Sequence, residues 1–210
     1  MSVKEKAHEL AQHLAQMASN HRPAMVAISG PPAAGKSTIS DPLRAALADL
    51  GLKAVVVPMD GFHLDNRILD ERGDRARKGA AHTFDAAGFV SFVRRIKTDG
   101  NGYYPVFDRD RDIAIACAGE VTPECDIILF EGNYLLLEQD PWTDLKALWD
   151  YTIFVQVDIE VVRQRCIDRW LAHDHTLEDA IARSEANDVR NAKVVLEQSW
   201  TADLTVDNNG

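Results

Sequence analysis

Residues 30–37, Gly30-Pro31-Pro32-Ala33-Ala34-Gly35-Lys36-Ser37, fit the pattern G-x-x-x-x-G-K-[ST], and they stand between an apolar run, Met25-Val26-Ala27-Ile28, and a helical stretch over 38–47. A buried strand, a glycine-bearing turn and a helix in that order leave few folds open. The glycines let the backbone wrap close, so that its N–H groups point at phosphate oxygens. Lys36 reaches the β- and γ-phosphates, and the Ser37 hydroxyl completes a Mg²⁺ shell. The helix from Thr38 onward turns its positive end toward the same anion. The loop Gly30, Pro31, Pro32, Ala33, Ala34, Gly35, with Lys36, Ser37 and Thr38, is therefore the expected nucleoside triphosphate site. At ordinary residue frequencies the four fixed positions match by accident in well under about one chain of this length in fifty.

Other apolar runs repeat the theme. Gly51 ends the first helix, and Lys53-Ala54-Val55-Val56-Val57-Pro58-Met59-Asp60 reads as a second buried strand that closes on an acid. Asp126-Ile127-Ile128-Leu129-Phe130-Glu131 and Tyr151-Thr152-Ile153-Phe154-Val155-Gln156-Val157-Asp158 have the same form, and 202–206 is a last strand. Strands alternating with helices give a doubly wound parallel sheet of the P-loop NTPase type, with helices on both faces and ligands outside the strand C-termini. Residues 64–82 are dense in charge and glycine and read as a loop near the ligand. Asp85 caps a helix that follows it. Tyr103-Tyr104-Pro105-Val106-Phe107 and Ile113-Ala114-Ile115-Ala116 flank the tip Asp108-Arg109-Asp110-Arg111-Asp112 and predict a β-ribbon insert. Helical patterns cover 159–171, which carries Arg163, Arg165 and Arg169, and 177–197. At 210 residues and 46% hydrophobic content, the chain suits one domain, 1–210, with its insert over about 61–120.

A formal net charge of −10 argues against nucleic acid or an anionic membrane as partner. No apolar stretch approaches the roughly 20 residues that span a bilayer. Cys117, Cys125 and Cys166 form no C-x-x-C pair and read as small buried thiols of a reducing compartment. The first twenty residues read as an amphipathic helix of a cytoplasmic protein, with no signal-peptide core.

The carboxylates at the strand ends carry the chemistry. Transfer of a phosphoryl group needs an acceptor for the hydroxyl proton, a Mg²⁺ on the phosphates and cations for the moving charge. Asp60 is equally readable as that acceptor or as a cap of the next turn. Glu131, closing a buried strand beside the phosphate loop, points to the metal or its waters. Asp126 begins the same strand at the far end of the sheet and reads as a turn residue.

Met59-Asp60-Gly61-Phe62-His63-Leu64, Lys78-Gly79, Thr83-Phe84-Asp85 and Phe130-Glu131-Gly132-Asn133-Tyr134-Leu135-Leu136 resemble the uridine kinase, phosphoribulokinase and bacterial pantothenate kinase superfamily. Within it the chain is most similar to bacterial proteins described as fructose transport system kinases. The resemblance runs from Gly30 to Val206. It implies that Asp60 is the catalytic base, that Glu131 belongs to the Mg²⁺ site, and that a helical lid over about 165–190 brings Arg169, or failing it Arg165, onto the phosphates. It also implies ATP as donor and a hydroxyl of a small metabolite as acceptor, whether sugar, nucleoside or pantothenate-like. His63, His82, Tyr104, Asp108 and Arg109 are expected to line the acceptor side. Homodimers are common among such relatives, although no residue pattern marks an interface. The competing reading is a nucleotide-switched regulatory or assembly ATPase; the ribbon and the arginine-bearing lid favour the kinase, since a switch needs no acceptor pocket.

Overall fold

The apolar runs lack polar residues on either face, so they can pair side by side only where helices cover both sides. The computed structural model describes residues 3–18 and 23–210. In chain order it contains α1 (Val3–Ala18), β1 (Ala24–Ser29), α2 (Lys36–Asp49), β2 (Ala54–Pro58), α3 (Asn66–Arg72), α4 (Ala86–Asp99), β3 (Gly102–Asp108), β4 (Ile113–Val121), β5 (Ile127–Gly132), β6 (Tyr151–Gln156), α5 (Ile159–Ala172), α6 (Leu177–Arg183), α7 (Val189–Gln198) and β7 (Leu204–Asp207). Five strands form one parallel sheet in the order β2-β5-β1-β6-β7, and β3 and β4 form a separate antiparallel ribbon. No described helix is long and apolar enough to cross a membrane.

Alternation along the central strands feeds two cores. Met25 and Ala27 of β1, with Ile128 and Phe130 of β5, pack on the side of α4, Trp142 and Trp149. Val26 and Ile28, with Ile127 and Leu129, face α1, α2 and α5 through Leu14, Leu43, Leu47 and Val162. Because β1 lies between β5 and β6 while the chain leaves it for the far-edge strand β2, the crevice at the C-terminal end of β1 is open to a ligand. Register completes the arrangement. Glu131 lies level with Ile28 on one side and Pro58 on the other, so one carboxylate stands between the phosphate loop and the segment that carries Asp60.

The structure differs from the sequence reading in four places. Residues 64–82 are not loop throughout: α3 forms there because Asp65 caps it by accepting from the Arg67 N–H at 2.9 Å, and Leu69 is fully buried beneath it. One apolar anchor in seven residues is too weak a pattern to read as a helix. The second strand ends at Pro58, and Asp60 lies in a 3₁₀ turn, Met59–Phe62. That turn passes close under the ribbon, since a Cβ on Gly61 would stand 2.0 Å from the Pro105 carbonyl oxygen. The helical stretch over 177–197 is broken by a π turn, Ser184–Asp188, between α6 and α7. Cys125 and Cys166 are buried as expected, whereas Cys117 is exposed on β4, which lies in the ribbon rather than in the sheet. The N-terminal helix covers 3–18; residues 1, 2, 19 and 20 of that expectation lie outside the described residues.

Candidate active site

The phosphate loop curls through left-handed backbone at Ala33 (φ 57°) and Gly35 (φ 82°), which turns successive N–H groups toward one concavity. Lys36 lies inside it. Its ammonium donates to the carbonyls of Gly30 at 3.1 Å and Pro31 at 3.0 Å and to Oδ1 of Asn133 at 2.7 Å. All three acceptors are neutral, and burial pushes the Lys36 pKa down to about 8, although Glu131 and Asp60 pull it upward. The loop is also held from outside. Asn208 donates to the Ala34 carbonyl at 2.8 Å, and Arg165 donates to the carbonyls of Ala33 at 3.3 Å and Asn208 at 2.9 Å.

Ser37 and Thr38 are exposed where α2 begins. The Ser37 hydroxyl lies within hydrogen-bond distance of both carboxylate oxygens of Glu131, at 3.0 and 3.1 Å. Burial raises the Glu131 pKa, while Lys36 and the Ser37 hydrogen bond act the other way. A hydroxyl and a carboxylate beside a phosphate loop are the hard oxygen donors that Mg²⁺ takes, with waters and phosphate oxygens completing its shell. Among the described residues no group of three or more His, Cys, Asp or Glu could hold a metal by itself. This donor set therefore fits a Mg²⁺ that arrives with a nucleotide.

On the other side of Glu131, Asp60 accepts from the Arg109 guanidinium at 2.5 Å. His63 donates from Nδ1 to the Asp60 carbonyl at 2.7 Å, and its ring lies 4.0 Å from that of Phe84 and 4.7 Å from that of Phe107. Burial holds the His63 pKa below its usual value, against the pull of Asp60, so the imidazole is neutral at neutral pH. Lys78 ties the ribbon tip to α3: its ammonium donates to Asn66 Oδ1 and Asp112 Oδ1, both at 2.7 Å, and to the Asp112 carbonyl at 3.0 Å.

Of the five residues expected on the acceptor side, the structure brings His63 and Arg109 onto Asp60 and engages the other three elsewhere. Tyr104 is 7% exposed and donates to the Val56 carbonyl at 3.2 Å, so it faces the core. Asp108 closes the ribbon tip on Arg111, accepting from its backbone N–H at 3.0 Å and from Nε at 2.7 Å. His82 stands at the surface, 3.5 Å from Asp74.

Arg169 lies on α5 and donates to Asp188 at 3.0 Å, while Trp170 donates to the other oxygen of the same carboxylate at 2.8 Å. Asp188 closes the π turn, which also meets the acceptor segment. Arg77 donates to the Ala186 carbonyl at 2.6 Å, and Asn187 donates to the Lys78 carbonyl at 2.7 Å. Sequence reasoning named Asn133 and Lys78 only within the motifs of the resemblance, with no role, and did not single out Asn208 or Asp188. The motifs left Asn133 and Lys78 open to notice; Asn208 and Asp188 are placed by long-range packing alone.

A family model described as the phosphoribulokinase/uridine kinase family matches residues 25–209. A Schizosaccharomyces pombe protein with a provisional uridine kinase name is 35% identical over 208 residues, spanning 94% of this chain and 88% of that protein. A pantothenate kinase of Streptococcus pneumoniae is 28% identical over 161 residues, covering 74% of this chain and 52% of the enzyme. Among solved structures, a Silicibacter protein provisionally described as a fructose transport system kinase is 45% identical, with a TM-score of 0.91 and coverage of 98% of this chain and 99% of that one. A circularly permuted P-loop protein of Saccharomyces cerevisiae, 18% identical with a TM-score of 0.80, covers 100% of each chain and supports the fold alone.

Proposed function

The chain belongs to the phosphoribulokinase/uridine kinase family of kinases, and on that premise we propose that it transfers the γ-phosphoryl group of ATP to a hydroxyl of a small metabolite. One observation carries this reading. Two carboxylates reach the same end of the sheet with different partners: Glu131 meets the Ser37 hydroxyl, and Asp60 meets a guanidinium from the ribbon. One carboxylate then serves the metal and the other serves the acceptor.

Ser37 and Glu131 would hold a Mg²⁺ arriving with the nucleotide, which would supply charge neutralisation to the phosphates. The loop N–H groups orient the phosphates, and Lys36 exchanges the Gly30 and Pro31 carbonyls for phosphate oxygens. The acceptor oxygen attacks the γ-phosphorus, the bond from that phosphorus to the bridging oxygen breaks, ADP leaves, and Asp60 takes the hydroxyl proton. Arg169, with Arg165 beside the loop, brings positive charge to the phosphates as the lid closes, and closure excludes water. The relatives' names supply the acceptor classes to try first: nucleoside, pantothenate and sugar.

ADP release from Mg²⁺-ATP, alone and with a panel of sugars, sugar phosphates, nucleosides, pantothenate and glycerate, tests the reading. One compound should stimulate turnover strongly. Asp60→Asn should lower that stimulated rate by about 10²- to 10⁴-fold while ATP binding persists. Steady hydrolysis that no compound stimulates and that survives Asp60→Asn would instead mark a nucleotide-switched ATPase.

A further inference from the structure

We infer that the acceptor is an anion, a hydroxy compound bearing a carboxylate or phosphate, and that its oxyanion binds by taking Arg109 away from Asp60. The inference rests on the kinase reading and deepens it.

Two carboxylates of the ribbon tip already have cationic partners. Asp108 is engaged by Arg111, and Asp112 by Lys78 and Arg75. Arg109 alone turns back over the site. Its side chain is 76% exposed, and its guanidinium makes one hydrogen bond among the described residues, to the carboxylate that must receive the acceptor proton. Holding the ribbon in place does not explain that contact. An ion pair so open to solvent contributes little to a fold, and the ribbon is already fastened by the Lys78 cluster and by the packing of Pro105 on Gly61.

The pair has a chemical consequence. The Arg109 guanidinium occupies an oxygen of the carboxylate that must receive the acceptor's proton. An uncharged acceptor would either leave the pair in place or take Asp60 without offering Arg109 an oxyanion in exchange. An oxyanion on the acceptor resolves both problems. It gives the planar fork a replacement partner of the geometry that arginine favours, and it frees Asp60 for the hydroxyl. Carboxylates and phosphate esters share this chemistry. The base is thereby kept masked until a compound with the right charge arrives, which restrains transfer to water.

ADP release with matched pairs separates the possibilities: glycerate against glycerol, gluconate against glucose, pantothenate against pantothenol, ribose 5-phosphate against ribose, and fructose 6-phosphate against fructose. An anionic member should stimulate turnover at least about tenfold more than its neutral partner, and the carboxylate and phosphate arms show which oxyanion it is. Arg109→Ala should raise the KM of that acceptor about tenfold or more with the KM for ATP unchanged, and Arg109→Lys should recover part of the loss. Without any acceptor, Arg109→Ala should hydrolyse ATP faster than the parent protein. Stimulation confined to neutral compounds, an unchanged acceptor KM, or equal hydrolysis by parent and Arg109→Ala overturns the inference and leaves the kinase reading standing. Unstimulated hydrolysis that survives Asp60→Asn overturns both.

Discussion

The two halves of the site meet at Glu131 and are built by opposite rules. On the side proposed for the donor, Lys36 is 8% exposed, and two of its three acceptors are carbonyls five and six residues away in the chain, the third being Asn133. On the acceptor side, Arg109 is 76% exposed and reaches Asp60 across 49 residues. A triphosphate is the same for every member of such a family, so a short, buried loop can serve it. An acceptor differs from one member to the next, and a solvent-facing ribbon can change its side chains without disturbing the sheet.

The sharpest way to break this contrast is Lys36→Ala. Loss of the ammonium should lower ATP affinity and turnover together, by about 10³-fold in kcat/KM, read by calorimetry and ADP release. A variant that lost only acceptor-stimulated turnover would show that Lys36 does not serve the donor. Gly61→Ala probes the other half, since its Cβ must push the Pro105 carbonyl away from a 2.0 Å approach. Stability should fall by about 1–3 kcal/mol and acceptor KM should rise, with ATP affinity retained; chemical denaturation and nucleotide titration measure these separately.

Asp188→Asn removes the charge that holds Arg169 and Trp170 in this arrangement. It should change kcat by about tenfold or less and leave ATP binding alone. An equal effect on ATP affinity would place Arg169 in ground-state nucleotide binding. The smallest effect is in pH. Lys36 titrates near about 8 in the free protein, lowered by burial, and phosphate favours its charged form. ATP affinity should therefore weaken as pH rises above 8, by at most about tenfold per unit. For folding the sign reverses: between 8 and 10.5 the unfolded chain holds a proton that the native lysine has released, so this group adds stability as pH rises through that window. A flat KM for ATP between pH 7 and 9.5 would remove Lys36 from the phosphates.

Much of the fold was legible because its signals are local. Four of the five sheet strands are largely apolar runs, the ribbon shows as two β-rich segments around a charged tip, and Asp85 caps α4 by accepting from the Gly88 N–H at 2.9 Å. α3 escaped notice because its one buried anchor, Leu69, makes no period. The π turn over Ser184–Asp188 escaped because its buried residues, Ser184 and Asp188, are polar and leave no apolar period to mark it. Tyr104 illustrates the opposite error. Proximity in sequence to the ribbon tip suggested an acceptor contact, yet strand alternation buries its ring and leaves Tyr103 exposed.

The sequence alone determined the glycine-bearing loop, the parallel sheet around it and the presence of acids at or just past two strand ends, since each depends on residues a few positions apart. Only the tertiary structure decided what those acids touch. Glu131 meets Ser37 across 94 residues through strand register, and Asp60 meets Arg109 through the folding back of the ribbon. Such pairings depend on how the sheet is ordered and where the insert lies against it, and no local pattern of residue types carries that information.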